Sequence, residues 1–135
     1  MSIETVEETS EYTIEKDTAC DIPIFVYNEF ASGEALREIA DRWAEVIAEE
    51  GAEQYLVNTE EIAAHDDTDK EWLADTWVPN LIDRGVRAGA GVYADSTIAD
   101  MEMERVEEML SSLDPDFEYR VFGTQEEALD WLAGQ

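Results

Sequence analysis

The sequence predicts a single α/β domain in which strands alternate with helices around one mixed sheet. Short runs rich in β-branched and aromatic residues alternate with longer segments whose apolar residues recur every three or four positions. A capping residue, a glycine or a proline stands at most boundaries. Strands that alternate with helices favour parallel pairing through right-handed crossovers. Because 135 residues suit one domain, we expect a five-stranded, mostly parallel sheet with about four helices.

The N-terminal part of the chain predicts a hairpin. Residues 1–10 are polar and acidic, and we expect a flexible acidic arm there, with the folded domain spanning 11–135. Glu11–Lys16 alternates between polar and apolar residues, as a half-buried strand does. Ile22–Tyr27 is continuously apolar, which is typical of a central strand covered on both faces. The short link between the two strands favours antiparallel pairing.

Two helices and a strand follow the hairpin. Ser32 is a candidate N-cap for the first helix, and Gly51 is a candidate C-terminal stop. Tyr55–Asn58 is a short strand rich in β-forming residues. A capping box opens the second helix, Thr68–Arg84. We expect a kink at Pro79, because proline lacks a backbone donor and collides with the preceding turn.

The C-terminal part predicts two more strands and two more helices. Val86–Ala94 is the fourth strand. The third helix begins at Thr97 or the residue before it, and the Asp-Pro-Asp turn at 114–116 ends it. Phe117–Phe122 is the fifth strand. A second capping box at Thr124 opens the last helix.

From residue 54 onward, the order of motifs is distinctive. A tryptophan–proline helix precedes a glycine and an alanine-rich strand, and a phenylalanine precedes a closing Ala-Leu-x-Trp-Leu helix. The motifs are Tyr55–Thr59, Glu71–Leu73, Trp77–Pro79, Gly85–Val92, and Phe122 with Glu127–Ala128 and Trp131–Leu132. This pattern resembles the STAS-like (SpoIIAA-like) domains. The resemblance implies a right-handed β-α superhelix and a docking or regulatory role without catalysis, as in antagonists of anti-sigma factors.

The same resemblance points to a candidate modification site. Regulatory members of the family carry a phosphorylatable serine after the third strand, usually in an Asp-Ser-Ser-Gly context. The matching place here reads Asn58-Thr59-Glu60-Glu61. The resemblance therefore implies Thr59 as the candidate phosphate acceptor, although two acids follow it and no glycine is present.

The charge of the chain predicts the solvent in which it works. The sequence has 35 acidic residues and eight lysines and arginines, a formal charge of −27, yet 44% of it is hydrophobic. A disordered acidic tail would lack those apolar residues. We interpret the combination as a salt-adapted surface that holds cations and water, and expect a cytoplasmic protein of an extreme halophile. The acids are spread rather than clustered, which favours this interpretation over a nucleic-acid mimic that docks on a basic protein.

The acidity also excludes classes of partner. Free nucleic acid and anionic membranes are bound through clusters of lysine and arginine, which this sequence lacks. No apolar run is long enough to cross a bilayer, and we expect no secretion signal because residues 1–10 have neither a basic region nor an apolar core. Cys20 is the single cysteine, so an intramolecular disulfide cannot form, which suits a reducing compartment.

We expect no catalytic residue, cofactor or metal. The run from His65 to Asp69 begins like a calcium loop, but Trp72 and Val78 stand where that loop needs glycine and glutamate. Acids in this run are typical of a helix N-terminus. His65 has no recognisable nucleophile motif beside it, and Cys20 lacks the electropositive setting of a reactive thiol.

One sheet face is the candidate ligand or interface site. By alternation, Arg87, Gly89 and Gly91 share a face of the fourth predicted strand, and Arg120 lies on one face of the fifth. If these strands are neighbours, we expect the two arginines to meet beside the bare backbone of the glycines. Glycines inside a strand often mark the close approach of another group, which can be an anion, an acyl chain or another subunit.

These features give two functional hypotheses. The leading one is a non-catalytic STAS-like protein-interaction or regulatory module, which docks on an unknown protein or on a second copy of itself. The alternative is a carrier of a small molecule or lipid, which uses a pocket or the face with Arg87 and Arg120. If those arginines instead form salt bridges with Glu118 and Glu53, that face is structural. An enzyme ranks third, because one histidine and one cysteine supply no nucleophile, base and orienting group.

Overall fold

The computed structural model describes residues 3–19, 21–29, 33–58, 67–92, 108 and 117–134. The strands in these residues are β1 (Ile3–Glu8), β2 (Tyr12–Asp17), β3 (Ile22–Tyr27), β4 (Gln54–Asn58), β5 (Ala88–Val92) and β6 (Glu118–Phe122). The helices are α1 (Gly33–Glu49), α2 (Asp67–Trp72), α3 (Val78–Asp83) and α4 (Gln125–Ala133), and a π-helical segment (Leu73–Trp77) joins α2 to α3. The α/β class that the sequence predicts is confirmed.

The six strands form one mixed sheet in which each strand pairs only with its neighbours in the sequence. β1, β2 and β3 form an antiparallel meander. β3, β4, β5 and β6 are parallel. The strand order never reverses, so the described part of the sheet has no switch point of the kind at which doubly wound folds open a ligand crevice.

β1 lies where the sequence predicts a flexible arm over residues 1–10. Ile3–Glu8 instead pairs with β2 in an antiparallel ladder. The turn after β1 is closed locally, because the backbone nitrogen of Thr9 donates to the carbonyl of Tyr12 at 2.8 Å. The described residues therefore contribute six strands to the sheet, where the sequence predicts five. The sequence missed β1 because its side chains are mostly exposed and show no regular apolar alternation.

An apolar layer covers each face of the sheet. One layer lies between the sheet and the helices α1 and α3 together with the π-helical segment. Its buried side chains include Phe25, Trp43, Tyr55, Trp77 and Leu81. The other layer lies between the sheet and α4. Its buried side chains include Ile24, Leu56, Ala90, Leu129 and Leu132. Sequestering one aromatic side chain removes about 150–250 Å² from water, so these layers supply most of the stabilisation.

The second predicted helix contains a π-helical turn immediately before Pro79. The backbone nitrogen of Val78 donates to the carbonyl of Leu73, five residues earlier. Pro79 then stands in the first turn of α3. In a regular α-helix, proline leaves a carbonyl without its donor and its ring collides with that carbonyl. The wider π turn relieves this conflict, so the helical segment extends over Asp67–Asp83, close to its predicted bounds.

Several sequence predictions concern residues that the structure does not describe. The third predicted helix, apart from Glu108, lies outside the described residues, and so do Cys20, Thr59 and His65. Among the helices that the structure does describe, none combines the length and apolarity needed to cross a membrane.

Candidate functional site

The predicted face with Arg87, Gly89, Gly91 and Arg120 is divided by the register of the parallel strands. Arg120 is aligned with Ala90, whereas Gly89 and Gly91 are aligned with residues 119 and 121. Aligned residues of neighbouring strands project to the same face of a sheet. Arg120 therefore lies on the α4 face, and the glycines lie on the face covered by α1. This corrects the expectation that both arginines meet beside the glycines.

Each glycine of β5 leaves room for a tyrosine of the same chain. A Cβ atom built at Gly89 would lie 2.6 Å from Cζ of Tyr55. A Cβ atom at Gly91 would lie 2.5 Å from the hydroxyl of Tyr119. The group that approaches the bare backbone is thus an aromatic ring. Both tyrosines are buried members of the apolar layer under α1, so this stretch of the sheet is filled by core packing.

The two arginines have separate surroundings, and neither forms an ion pair within the described residues. The guanidinium of Arg87 donates from Nη1 to the carbonyls of Ile82 and Val86 at 3.4 and 3.3 Å, which places it beside the end of α3. The guanidinium carbon of Arg120 lies 5.7 Å from the ring centroid of Trp131 in α4. The alternative role, salt bridges to Glu118 and Glu53, is also not observed among these residues. Arg87 contacts Glu53 only through its backbone nitrogen.

The buried tyrosines and Asp69 form polar features inside the layer under α1. Burial raises the pKa of the Tyr27 and Tyr55 hydroxyls, so both stay neutral at ordinary pH. Asp69 is 3% exposed, and its carboxylate oxygens accept from the backbone nitrogen of Gly33 at 3.2 and 3.4 Å. Gly33 begins α1, where a negative charge faces the positive end of the helix dipole. Asp69 therefore holds the start of α1 in place, and the neutral tyrosine rings pack within the apolar layer.

The feature that sequence reasoning missed is the open edge of the sheet at β1. Among the described strands, β1 is the outermost and pairs only with β2. Among the described residues, Ile3 and Val6 are the large hydrophobic side chains classed as exposed, at 41% and 43%. Both stand on β1. An open edge presents unpaired backbone donors and acceptors to the surroundings. Backbone hydrogen-bonding capacity and exposed apolar surface therefore coincide on one strand.

An ion-pair cluster holds β1 against α1. Nη2 of Arg42 donates to Oε1 of Glu7 at 3.0 Å, and Nε donates to the same oxygen at 3.2 Å. The hydroxyl of Tyr12 donates to Oε2 of Glu7 at 2.5 Å. Arg42 also lies 3.1 Å from Glu45 on its own helix. Glu7 and Arg42 are 35 residues apart in the sequence, so no local sequence pattern predicts this contact.

The cluster shifts the titration of its members. The hydrogen bonds from Arg42 and Tyr12 lower the pKa of Glu7 from its ordinary value of 4.5. Burial, followed by the bond to Glu7, raises the pKa of Tyr12 to about 12. At neutral pH the carboxylate is therefore charged and the phenol is protonated, which is the combination that the hydrogen bond requires.

A shallow depression of about 300 Å³ lies near the amino ends of β4 and β5. It opens between the ends of α1 and α3 and the loops that follow them. Apolar side chains such as Ile47, Leu81 and Val86 line it, together with Glu53 and Arg84. Arg84 makes no ion pair with any residue that the structure describes. The lining of the depression combines apolar side chains with a few polar groups, as ligand sites typically do.

Metal ligation has no support in the described part of the chain, where no group of three or more histidine, cysteine or acidic side chains is arranged to hold an ion. Of the predicted calcium-like run, Asp69 serves as the acceptor for Gly33. Thr59, the implied phosphate acceptor, follows β4 directly in the sequence but lies outside the described residues.

Comparisons with known proteins identify no family. No protein-family model matches the chain, and no curated protein matches it. The STAS-like resemblance therefore remains a prediction from the motifs after residue 54.

Proposed function

We propose that this protein is a non-catalytic protein-interaction or regulatory module of the STAS-like type, and that it docks through the open edge at β1. The observation that carries this proposal is the coincidence of the open edge with exposed Ile3 and Val6 on a strand that is tied down through Glu7. A strand that adds little to the core and is nevertheless fixed in place is suited to present backbone groups to a partner.

Two further observations support docking over ligand storage. Tyrosine rings fill the space above Gly89 and Gly91, so the face that the sequence singled out offers no room for an acyl chain. The order of the described strands has no reversal, and a crevice for a nucleotide or sugar at the strand ends is built at such a reversal.

The proposed setting is the cytoplasm of an extreme halophile. A formal charge of −27 on 135 residues produces self-repulsion that molar salt screens to within a few ångströms. Where the structure describes both partners of an ion pair, the basic residue is Lys16 or Arg42. Because the chain has 35 acidic residues and eight lysines and arginines, most of the acidic surface is left to cations and water.

Co-purification from cells that naturally produce the protein tests the docking role. The wild type and the double variant Ile3→Ser/Val6→Ser are each recovered in molar KCl, and the associated proteins are identified by mass spectrometry. A stoichiometric protein that accompanies the wild type and is lost from the variant supports the proposal. The unfolding midpoint of the variant should match that of the wild type, because both side chains are exposed. A wild type that carries no stoichiometric protein contradicts docking.

The second candidate function is a carrier, and the depression beside Arg84 is the observation that favours it. An apolar carboxylate would place its chain against Ile47 and Leu81 and its head near the guanidinium. Titration with hexanoate, followed by amide chemical shifts, tests this function. Saturable shifts at the lining residues that disappear in Arg84→Gln would support a carrier, and their absence would leave docking as the only candidate.

A further inference from the structure

The acidic residues of β1 define what can pair with its open edge. Glu4 and Glu8 are exposed. Glu4 directly follows Ile3, and the two glutamates stand on either side of Val6 in the sequence. Glu7 is occupied by Arg42 and Tyr12. Directly opposed side chains on paired strands attract when their charges differ and repel when they match. Glu4 is aligned with Lys16 and Glu8 with Thr13, so the two carboxylates lie on opposite faces of the sheet. A strand that joins this edge therefore meets one available carboxylate on each face and two apolar side chains within six residues.

A second copy of the chain is poorly matched to this edge. When two β1 strands are aligned antiparallel over their full length, Ile3 of one faces Glu8 of the other, and Glu4 faces Glu7. An apolar side chain is then set against a charged one, and two acidic side chains are set against each other. Edge charges of one sign oppose the joining of identical edges, whereas they attract a strand of opposite charge.

The edge is also pre-organised for binding. The Glu7–Arg42 contact and the Tyr12 hydroxyl fix β1 before any partner arrives. A binding surface that is ordered in the free protein avoids the entropy cost of ordering it in the complex. An added strand consequently meets an edge strand that is already held in place.

We propose that a cationic, extended segment of a partner protein adds to β1 as a further strand of the sheet. Lysine or arginine side chains of that segment lie opposite Glu4 and Glu8, and its apolar side chains cover Ile3 and Val6. The inference rests on the proposed docking function and names the chemistry of the partner. In molar KCl the ionic attraction acts only at contact distance, so the ion pairs select the strand while the backbone bonds and apolar contacts hold it.

Two synthetic peptides of equal charge test the inference. One has lysine at the two positions that lie opposite Glu4 and Glu8 and valine at the other four positions. The other has a central valine replaced by proline, which cannot join a ladder. Binding of each labelled peptide is measured by fluorescence anisotropy at rising KCl. We expect the lysine–valine peptide to bind at least about tenfold more tightly than the proline peptide. Hydrogen exchange should show new protection at the amides of Ile3–Glu8.

Charge-reversal variants test whether the peptide binds to the glutamates of β1 or to the acidic surface of the protein in general. Glu4→Lys/Glu8→Lys should weaken binding of the lysine–valine peptide about tenfold or more. The matched control Glu126→Lys/Asp130→Lys changes the net charge equally on exposed positions of α4, and it should change binding less than about twofold.

Failure of the cationic-strand inference can be distinguished from failure of the docking function. Equal weakening by both double variants, equal binding of both peptides, or protection away from β1 would overturn the cationic-strand inference. Salt-dependent dimers that protect β1 without any peptide would also overturn it. The docking function itself is judged by co-purification, so a neutral or acidic partner lost on substitution of Ile3 and Val6 would keep that function while refuting this inference.

Discussion

Gly91→Ala is the substitution whose effect the structure defines most closely. The new methyl group would lie 2.5 Å from the Tyr119 hydroxyl, and the next nearest atom, Cζ of the same ring, is at 3.4 Å. Overpacking of this kind costs about 1–3 kcal/mol. Alanine also recovers about 0.5–1 kcal/mol because glycine is entropically unfavourable in a strand. We therefore expect the free energy of unfolding to fall by about 1–2 kcal/mol.

A double-mutant cycle isolates that clash. Tyr119→Phe removes the only atom closer than 3.4 Å, so Gly91→Ala should cost little in the Tyr119→Phe background. The expected coupling energy is about 1–2 kcal/mol. Gly89→Ala is the matched control, because its clash is with ring atoms of Tyr55 at 2.6 and 2.7 Å, which Tyr119→Phe leaves in place. Its loss should be at least as large and should not be rescued.

The assay is urea unfolding in molar KCl, followed by tryptophan fluorescence, with the slope of the transition checked for constancy. If Gly91→Ala is as stable as the wild type, or if Tyr119→Phe rescues both glycine substitutions equally, the assignment of the glycines to core packing is refuted. In that case the bare backbone would again be available to a ligand or a subunit.

Three further predictions concern charge. The thermal unfolding midpoint should rise strongly as KCl increases from tenths molar to several molar, because salt screens the repulsion among the acidic residues. A midpoint that does not change with salt would contradict the halophilic interpretation. Because the pKa of Glu7 is lowered from 4.5, its stabilising contribution is complete above that pH and is lost as pH falls through the lower folded value. Arg42→Gln should remove this part of the acid dependence in pH-dependent urea unfolding, and an unchanged profile would contradict it. Since the pKa of Tyr12 is raised to about 12, its neutral form contributes stability below pH 10 that is lost as pH rises through 12. Ring carbon shifts in nuclear magnetic resonance should therefore titrate near 12, and a midpoint near 10 would argue against the Glu7 bond.

Alternation and capping signals predicted most of the described elements, because those signals are local. Ile22–Tyr27 has the predicted bounds. Thr124 caps the last helix as its sequence suggests, since its hydroxyl accepts from the backbone nitrogen of Glu127 at 3.3 Å. Each of these features depends on residues within one turn or one strand, which a single sequence displays directly.

The candidate site was predicted less well, because it depends on contacts between distant segments. The alternation of one strand shows which of its own residues share a face, but the relative register of two strands is set only when they pair. Arg120 is aligned with Ala90, which stands between the two glycines of β5. Its side chain therefore lies on the face of the sheet opposite to the glycine face. The tether from Glu7 to Arg42 likewise depends on how β1 lies against α1.

The sequential order of the strands has a consequence for synthesis of the chain. Each described strand after β1 pairs with the described strand that precedes it in the sequence, so each of them finds its neighbour already made when it leaves the ribosome. No pairing between described strands has to open to admit a later one. The described part of the sheet therefore assembles in the order of synthesis, from β1 to β6.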